Sequence, residues 1–328
     1  MKAIRVHAVG GPEVMCLEEV PEPVPGPGEA VVRMEAIGLN VVEVFQRTGD
    51  VPVAPPFTPG GEGAGVVVAV GRGVAWPRVG ERVTSESFKG TYAEFAKAPA
   101  ERLVRLPDVV PARIGGAVLM RGITAHYLAT STYVLRPNDR CLIHAAAGGV
   151  GLFLCQIAKR RGAWVVGTTS TEEKAQLVRE AGADEVILYT QDDFVGATRR
   201  LTGGKGVHVV YDSVGRDTFL ASLDCLSPRG VMVLCGQASG PVPPIDPMIL
   251  GRKGSLSLAR PLFADHVAAS EEFTARTTEL LGWFAEGWLR VTIERSFPLE
   301  GAAEAHRILE AHRAVETRET GGKMVLEP

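Results

Sequence analysis

The sequence predicts an α/β protein: a doubly wound parallel sheet inserted into a β-rich domain. Three observations predict it. Residues 141–151 form a short apolar run that empties into Ala146-x-Gly148-x-x-Gly151 and then an apolar stretch of helical length, Leu152 to Ala158. Strand, glycine turn and helix in that order are the context that gives a glycine pattern meaning. From about residue 123, apolar strands alternate with helical segments, the rhythm of a parallel sheet. Residues 1–110, by contrast, read as short strands divided by Gly and Pro clusters.

In the first region, strands are expected at 2–8, 13–19, 30–37, 65–70, 81–84 and 90–97. The Pro-rich stretch 21–28 lies inside this region and reads as a rigid surface loop. In the second, strands are expected near 141–145, 163–168, 185–188, 207–212 and 230–235, with helices near 149–161, 171–181, 191–202 and 216–226. The tail reads as a long helix (268–286), an extended stretch (291–296), a helix (302–312) and a strand (323–327). A chain of 328 residues exceeds the size at which one core stops growing. The expected domains are 1–122, 123–257 and 258–328, the last rejoining the first, with ligands in the cleft between.

Composition narrows the function. A formal charge of −3 and the lack of a basic run exclude nucleic acid and anionic membranes as evident partners. The five cysteines are scattered and mostly in apolar runs, which fits reduced thiols and a cytoplasmic location. Met1 to His7 alternates like a first strand, not like a secretory leader.

The glycine turn assigns the pyrophosphate to Ala147, Gly148, Gly149, Val150 and Gly151, at a helix N-terminus whose N–H groups and dipole favour anions. In an NAD site an acid about 20 residues on would bond the ribose 2′-hydroxyl. Here the second strand ends in Thr168-Thr169-Ser170-Thr171, without an acid. Thr169 and Ser170 can bond a 2′-phosphate, Lys174 can supply the countercharge, and Tyr189 can cover the adenine or reach the phosphate. This points to NADPH, against the plain alternatives of a solvated lysine and a strand-end aromatic. Glu172 and Glu173 stand close by and argue the other way unless they face solvent.

The runs 144–151 with Gln156 and Lys159, 210–215, 36–40, 59–65, 121–125, 222–226 and 259–261 resemble the zinc-independent quinone oxidoreductases, zeta-crystallin among them, of the medium-chain dehydrogenase/reductase superfamily. The resemblance covers the whole chain. It implies a GroES-like catalytic domain interrupted by a Rossmann domain, NADPH-dependent reduction of quinones, and a homodimer or tetramer, with Val231 to Leu234 near an interface if cofactor domains pair through edge strands. It also bears on zinc. The alcohol-dehydrogenase branch carries Cys, His and Cys where this chain has Asn40, Gly61 and Arg121, so no metal is expected.

The same resemblance places Asn40 at the nicotinamide, though Asn40 also opens a helix and can serve as its N-cap. Related reductases often have Tyr where this chain has Phe45, which keeps an aromatic wall but loses a hydroxyl donor. His126 and Tyr127 are possible replacement donors. Thr124 would face the nicotinamide, and Ser213, Gly236, Ala238 and Ser239 its ribose and carboxamide. Arg260 and Lys323 would reach the phosphates or, as surface cations, only water. Two other functions remain open: an enone or enal reductase, and a low-turnover NADPH-binding protein of the crystallin kind.

Overall fold

The computed structural model describes residues 1–313 and 322–328. The chain divides into two compact units, residues 1–123 with 269–328, and residues 124–268.

The first unit holds β1 (Lys2–Val6), β2 (Met15–Glu19), β3 (Glu29–Gly38), α1 (Val41–Thr48), β4 (Gly63–Val70), β5 (Arg82–Ser85), β6 (Phe95–Pro99), β7 (Val104–Arg105), α2 (Ala112–Gly115) and the first part of α3 (Leu119–Tyr127). In the second lie β8 (Arg140–Ile143), α4 (Gly149–Arg160), β9 (Trp164–Thr169), α5 (Glu172–Glu180), β10 (Glu185–Leu188), α6 (Phe194–Leu201), β11 (Val207–Asp212) and α7 (Phe219–Cys225). It continues through β12 (Leu226–Leu234), α8 (Met248–Arg252), β13 (Ser257–Ala259) and α9 (Phe263–His266). Back in the first unit come α10 (Ser270–Ala285), β14 (Ile293–Pro298), α11 (Ala302–Arg313) and β15 (Lys323–Glu327).

The first unit is built on a seven-stranded sheet, β14-β15-β3-β4-β5-β7, with β6 also on β3. β3 is its centre because its alternate residues Ala30, Val32 and Met34, together with Ile37, meet a core that includes Val67, Val83 and Leu326. Each such side chain contributes about 1.5–3 kcal/mol by leaving water. Register then does the positioning. Val325 pairs with Gly38 and Leu326 with Ile37, so the start of β15 runs beside Leu39 and Asn40. Ile37 also pairs with Gly63, which brings Glu62 to the same place. Gly38 permits that approach: a Cβ there would lie 2.5 Å from the Gly116 carbonyl oxygen and still nearer the Glu62 carboxylate.

The second unit is a six-stranded sheet ordered β10-β9-β8-β11-β12-β13, parallel throughout. That order reverses between β8 and β11, the switch point at which doubly wound sheets bind ligands. β8 is buried on both faces, as parallel strands usually are. α4 follows because Phe153, Leu154, Ile157 and Ala158 recur on one buried face. Lys159 and Arg160 sit in its last turn, where the dipole favours cations.

Three expectations need correction. The return to the first unit comes at 269 rather than 258, because β13 joins the parallel sheet beside β12. Three residues are too few to show periodicity. β12, which holds Val231 to Leu234, is covered on both sides by β11 and β13, so it cannot offer an edge. The strand expected at 90–97 starts only at Phe95 and runs on to Pro99.

Candidate active site

In the first unit Asn40, Glu43, Gln46, Gly61, Glu62 and Met120 line a cavity of about 220 Å³. Asn40 opens α1, and the Glu43 carboxylate three residues on accepts the Asn40 backbone N–H at 2.8 Å, the carboxylate half of a capping box. The Asn40 side chain is used elsewhere. Its Nδ2 donates to Glu62 Oε2 at 2.9 Å, and its Oδ1 accepts from Lys323 Nζ at 2.7 Å. With the oxygen committed, what the amide has left to offer is its second N–H.

Lys323 is 1% exposed. Its three N–H groups go to Leu39 O at 2.9 Å, Asn40 Oδ1 at 2.7 Å and Glu62 Oε2 at 3.0 Å. An ammonium has three donors, and all are spent. Lys323 therefore cannot reach a cofactor phosphate as the sequence suggested: it is an internal cation of the first unit. Burial lowers its pKa to about 8 against the pull of Glu62. The other Glu62 oxygen accepts the Met120 backbone N–H at 2.9 Å. Glu43, in contrast, forms no ion pair among the described residues, and burial raises its carboxyl to about 7, while Lys323 at longer range lowers it. Arg121 is depressed by burial and faces both carboxylates.

This donor set does not fit zinc. Zinc takes thiolate, imidazole or carboxylate ligands. Here the expected positions hold an amide, a glycine and a guanidinium, and the nearby carboxylate already carries an ammonium. Among the described residues no three His, Cys, Asp or Glu side chains are grouped to hold a metal ion.

In the second unit the turn after β8 fits a pyrophosphate. Gly148 is the N-cap of α4, and the opening N–H groups at Gly149, Val150 and Gly151 have no acceptor four residues back within the helix. A Cβ on Gly151 would lie 2.6 Å from the carbonyl oxygens of both Ala145 and Ala146. Glycine is thus required for helix and strand to meet. Ala147 is buried against this turn.

At the end of β9, Thr169 accepts the Tyr189 N–H at 3.1 Å, which sets Tyr189 beside it with its ring 49% exposed. Ser170 is half-buried, and Thr171 caps α5 by accepting the Lys174 N–H. Glu172 pairs with Arg179 at 2.5 Å, away from the strand end. Lys174 has no ion pair among the described residues. Its charge is available to a phosphate beside Thr169 and Ser170.

Ser213 follows β11, and its hydroxyl reaches the His144 carbonyl at 3.5 Å. Beneath it Asp212 accepts from the N–H groups of Val214 and Gly215 at 2.8 and 2.9 Å and from the Thr218 hydroxyl at 2.7 Å. Gly236 and Ala238 donate backbone N–H groups to Asp212 O and Ser213 O. Ser239 is spent as a latch: its hydroxyl donates to Val214 O at 2.9 Å and accepts from the Asp217 N–H at 3.1 Å. Arg260 belongs to this unit rather than to a returning segment, and its guanidinium bonds the Pro261 carbonyl at the surface. Thr124 lies half-buried on α3.

The proposed replacement donors are occupied. His126 is buried and its ring meets the Thr130 hydroxyl at 3.2 Å. Tyr127 is buried and stacks on His266 with centroids 4.0 Å apart. Phe45 is half-buried on α1 and does not line the cavity, which takes Glu43 and Gln46 from that helix. Sequence reasoning missed Glu43 and Glu62. The Asn40-x-x-Glu43 spacing was readable as a cap signal, whereas nothing in Gly60-Gly61-Glu62-Gly63 announced a lysine partner some 260 positions on.

A β-rich unit interrupted by a parallel dinucleotide sheet, with its glycine turn at the switch point, defines a medium-chain dehydrogenase/reductase. Residues 26–108 match the alcohol dehydrogenase GroES-like domain and 149–280 the zinc-binding dehydrogenase family. The chain is 44% identical to a quinone oxidoreductase of Pseudomonas aeruginosa over all of its own length and 99% of the relative's. It is 40% identical to a 2-haloacrylate reductase of Burkholderia sp., covering 98% of each. The crystal structure of Escherichia coli quinone oxidoreductase complexed with NADPH superposes with a TM-score of 0.91 at 39% identity, covering 100% of both chains. The chain belongs to the quinone oxidoreductase family.

Proposed function

We propose that the protein reduces quinones with NADPH by hydride transfer, without zinc. The observation that carries this reading is the Asn40 amide, held by Glu62 and Lys323 at the wall of a cavity where a zinc reductase would need metal ligands. A quinone is already electrophilic and spreads incoming charge into a conjugated oxygen, so one oriented N–H can serve where a ketone would require a Lewis acid.

NADPH, when bound, supplies the hydride. The chain supplies position. Gly148, Gly149, Val150 and Gly151 take the pyrophosphate; Thr169, Ser170, Lys174 and Tyr189 the 2′-phosphate; Thr124, Ser213, Gly236 and Ala238 the nicotinamide end. Asn40 donates to the acceptor oxygen on which charge develops. No covalent nucleophile is invoked, and proximity supplies most of the acceleration. We extend the reading to a cytoplasmic homodimer. The five cysteines are free thiols, in keeping with a reducing compartment, and no described helix is long and apolar enough to cross a membrane.

The 40% identity to a 2-haloacrylate reductase favours a second reading, reduction of conjugated enoates. Turnover of NADPH and NADH with a naphthoquinone and with a short enone, chelator present, decides between them. Fast, chelator-resistant, NADPH-selective quinone reduction is expected. A preference for the enone would transfer the assignment, and chelator-sensitive activity would overturn the metal-free mechanism.

A further inference from the structure

Hydride transfer leaves the acceptor one proton short, and the Asn40 amide can bond the acceptor oxygen but not give up a proton to it. Phe45 lacks a hydroxyl, and His126 and Tyr127 are engaged elsewhere. The cavity wall carries three carboxyls, Glu43, Glu62 and Glu86; Glu86 is paired with Arg102, and the two most buried, Glu43 and Glu62, are in opposite circumstances. Glu62 is fully engaged: it accepts from the Lys323 ammonium, the Asn40 amide and the Met120 N–H. Glu43 bonds the Asn40 backbone N–H and forms no ion pair among the described residues. Of the two, Glu43 is the carboxyl whose surroundings leave it free to carry a proton.

We propose that Glu43 is the acid that protonates the reduced acceptor. This rests on the quinone-reductase reading above. Hydride arrival adds two electrons and one hydrogen, leaving an oxyanion. The Glu43 O–H bond breaks, its proton forms the new acceptor O–H bond, and the electron pair stays on the carboxylate. Water entering the cavity past Val42, which is exposed, then returns a proton to Glu43. The sum is acceptor, NADPH and one proton giving reduced acceptor and NADP+.

The charged groups around Glu43 favour this cycle. Lys323 on β15 and Arg121 on α3 face it, with Glu62 before β4 opposing them. Arg47 lies one turn further along α1, and the Tyr92 phenol, itself raised by burial and by Glu43, lies beyond. The transient carboxylate therefore forms in sight of two cations without being locked to either. A carboxyl raised to about 7 is protonated often enough at neutral pH to act as a general acid.

The test is quinone turnover against pH in the wild type and in Glu43→Gln, which keeps the acceptor for the Asn40 N–H. Wild-type kcat is expected to fall as pH rises through about 7. In Glu43→Gln, kcat should drop by about a hundredfold, lose that pH limb and its solvent isotope effect, and leave NADPH affinity by fluorescence unchanged. Glu43→Asp should recover part of the rate. Wild-type turnover that is flat across this range, or full activity in Glu43→Gln, would overturn the assignment alone. A wild type that binds NADPH but reduces neither quinone nor enone overturns the functional reading and this proposal with it.

Discussion

Burial raises the Glu43 carboxyl from its ordinary 4.5 to about 7, and Lys323 only partly opposes the rise. A raised carboxyl favours the protonated folded state. Its contribution to stability is complete below pH 4.5 and is lost as pH climbs to about 7. Glu43→Gln has no proton to lose. Relative to the wild type, the variant should therefore gain on the order of 3 kcal/mol between pH 4.5 and 7. Urea unfolding at the two ends of that window measures it, and a constant difference would show that Glu43 does not titrate there. At the other unit, Lys174 carries no competing ion pair among the described residues. Lys174→Ala should weaken NADPH about tenfold or more and leave NADH nearly untouched. Equal losses in a titration of both nucleotides would displace the 2′-phosphate from this position. The candidate cofactor positions could be placed from the sequence because backbone geometry fixes them locally: a glycine turn at 148–151 opening α4, then the end of β9 at 169–170. The Lys323–Glu62–Asn40 cluster was not, since its members are far apart in the chain and meet only through the register of β15 on β3 and β3 on β4.

At the scale of elements, the turn between β8 and α4 has little room. Gly148 has the lighter demand, because a Cβ there would sit 3.1 Å from Ala145 O. At Gly151 the same atom would sit 2.6 Å from two carbonyl oxygens, closer than real Cβ atoms approach. Gly151→Ala must then push α4 off β8, at about 1–3 kcal/mol, and tilt the N–H groups meant for the pyrophosphate. The expected result is a lowered Tm with NADPH binding lost out of proportion to it; Gly148→Ala should lose less of both. Wild-type affinity in Gly151→Ala would separate this turn from the cofactor. Strand and helix positions here could be read from the sequence because their apolar periods are long and clean. Short pieces such as α2 and β13 escaped, having too few residues to display a period, and β13 took the unit boundary with it.

For the whole molecule, alternation of strand and helix identified the parallel sheet but not which strand would end it. Val231 to Leu234 looked like an edge only while β13 was unrecognised. With β13 in place, the sheet's two edges are β10 and β13. They differ in chemistry. β10 begins with Glu185, exposed and preceded by Asp184, and charge on an edge discourages pairing. β13 is Ser257, Leu258 and Ala259, without charge, and Leu258 is 40% exposed next to Leu262 at 54%. A homodimer would therefore join through β13, continuing the sheet across a two-fold axis. Light scattering on the eluting protein should then give twice the chain mass of 34.9 kDa. Leu258→Asp should reduce it to the single mass at micromolar concentration, because each carboxylate would be buried opposite its symmetry mate. An unaltered circular dichroism spectrum would show that the unit itself stays folded. A monomeric wild type would remove the dimer, and a variant that remains dimeric would move the interface to another face.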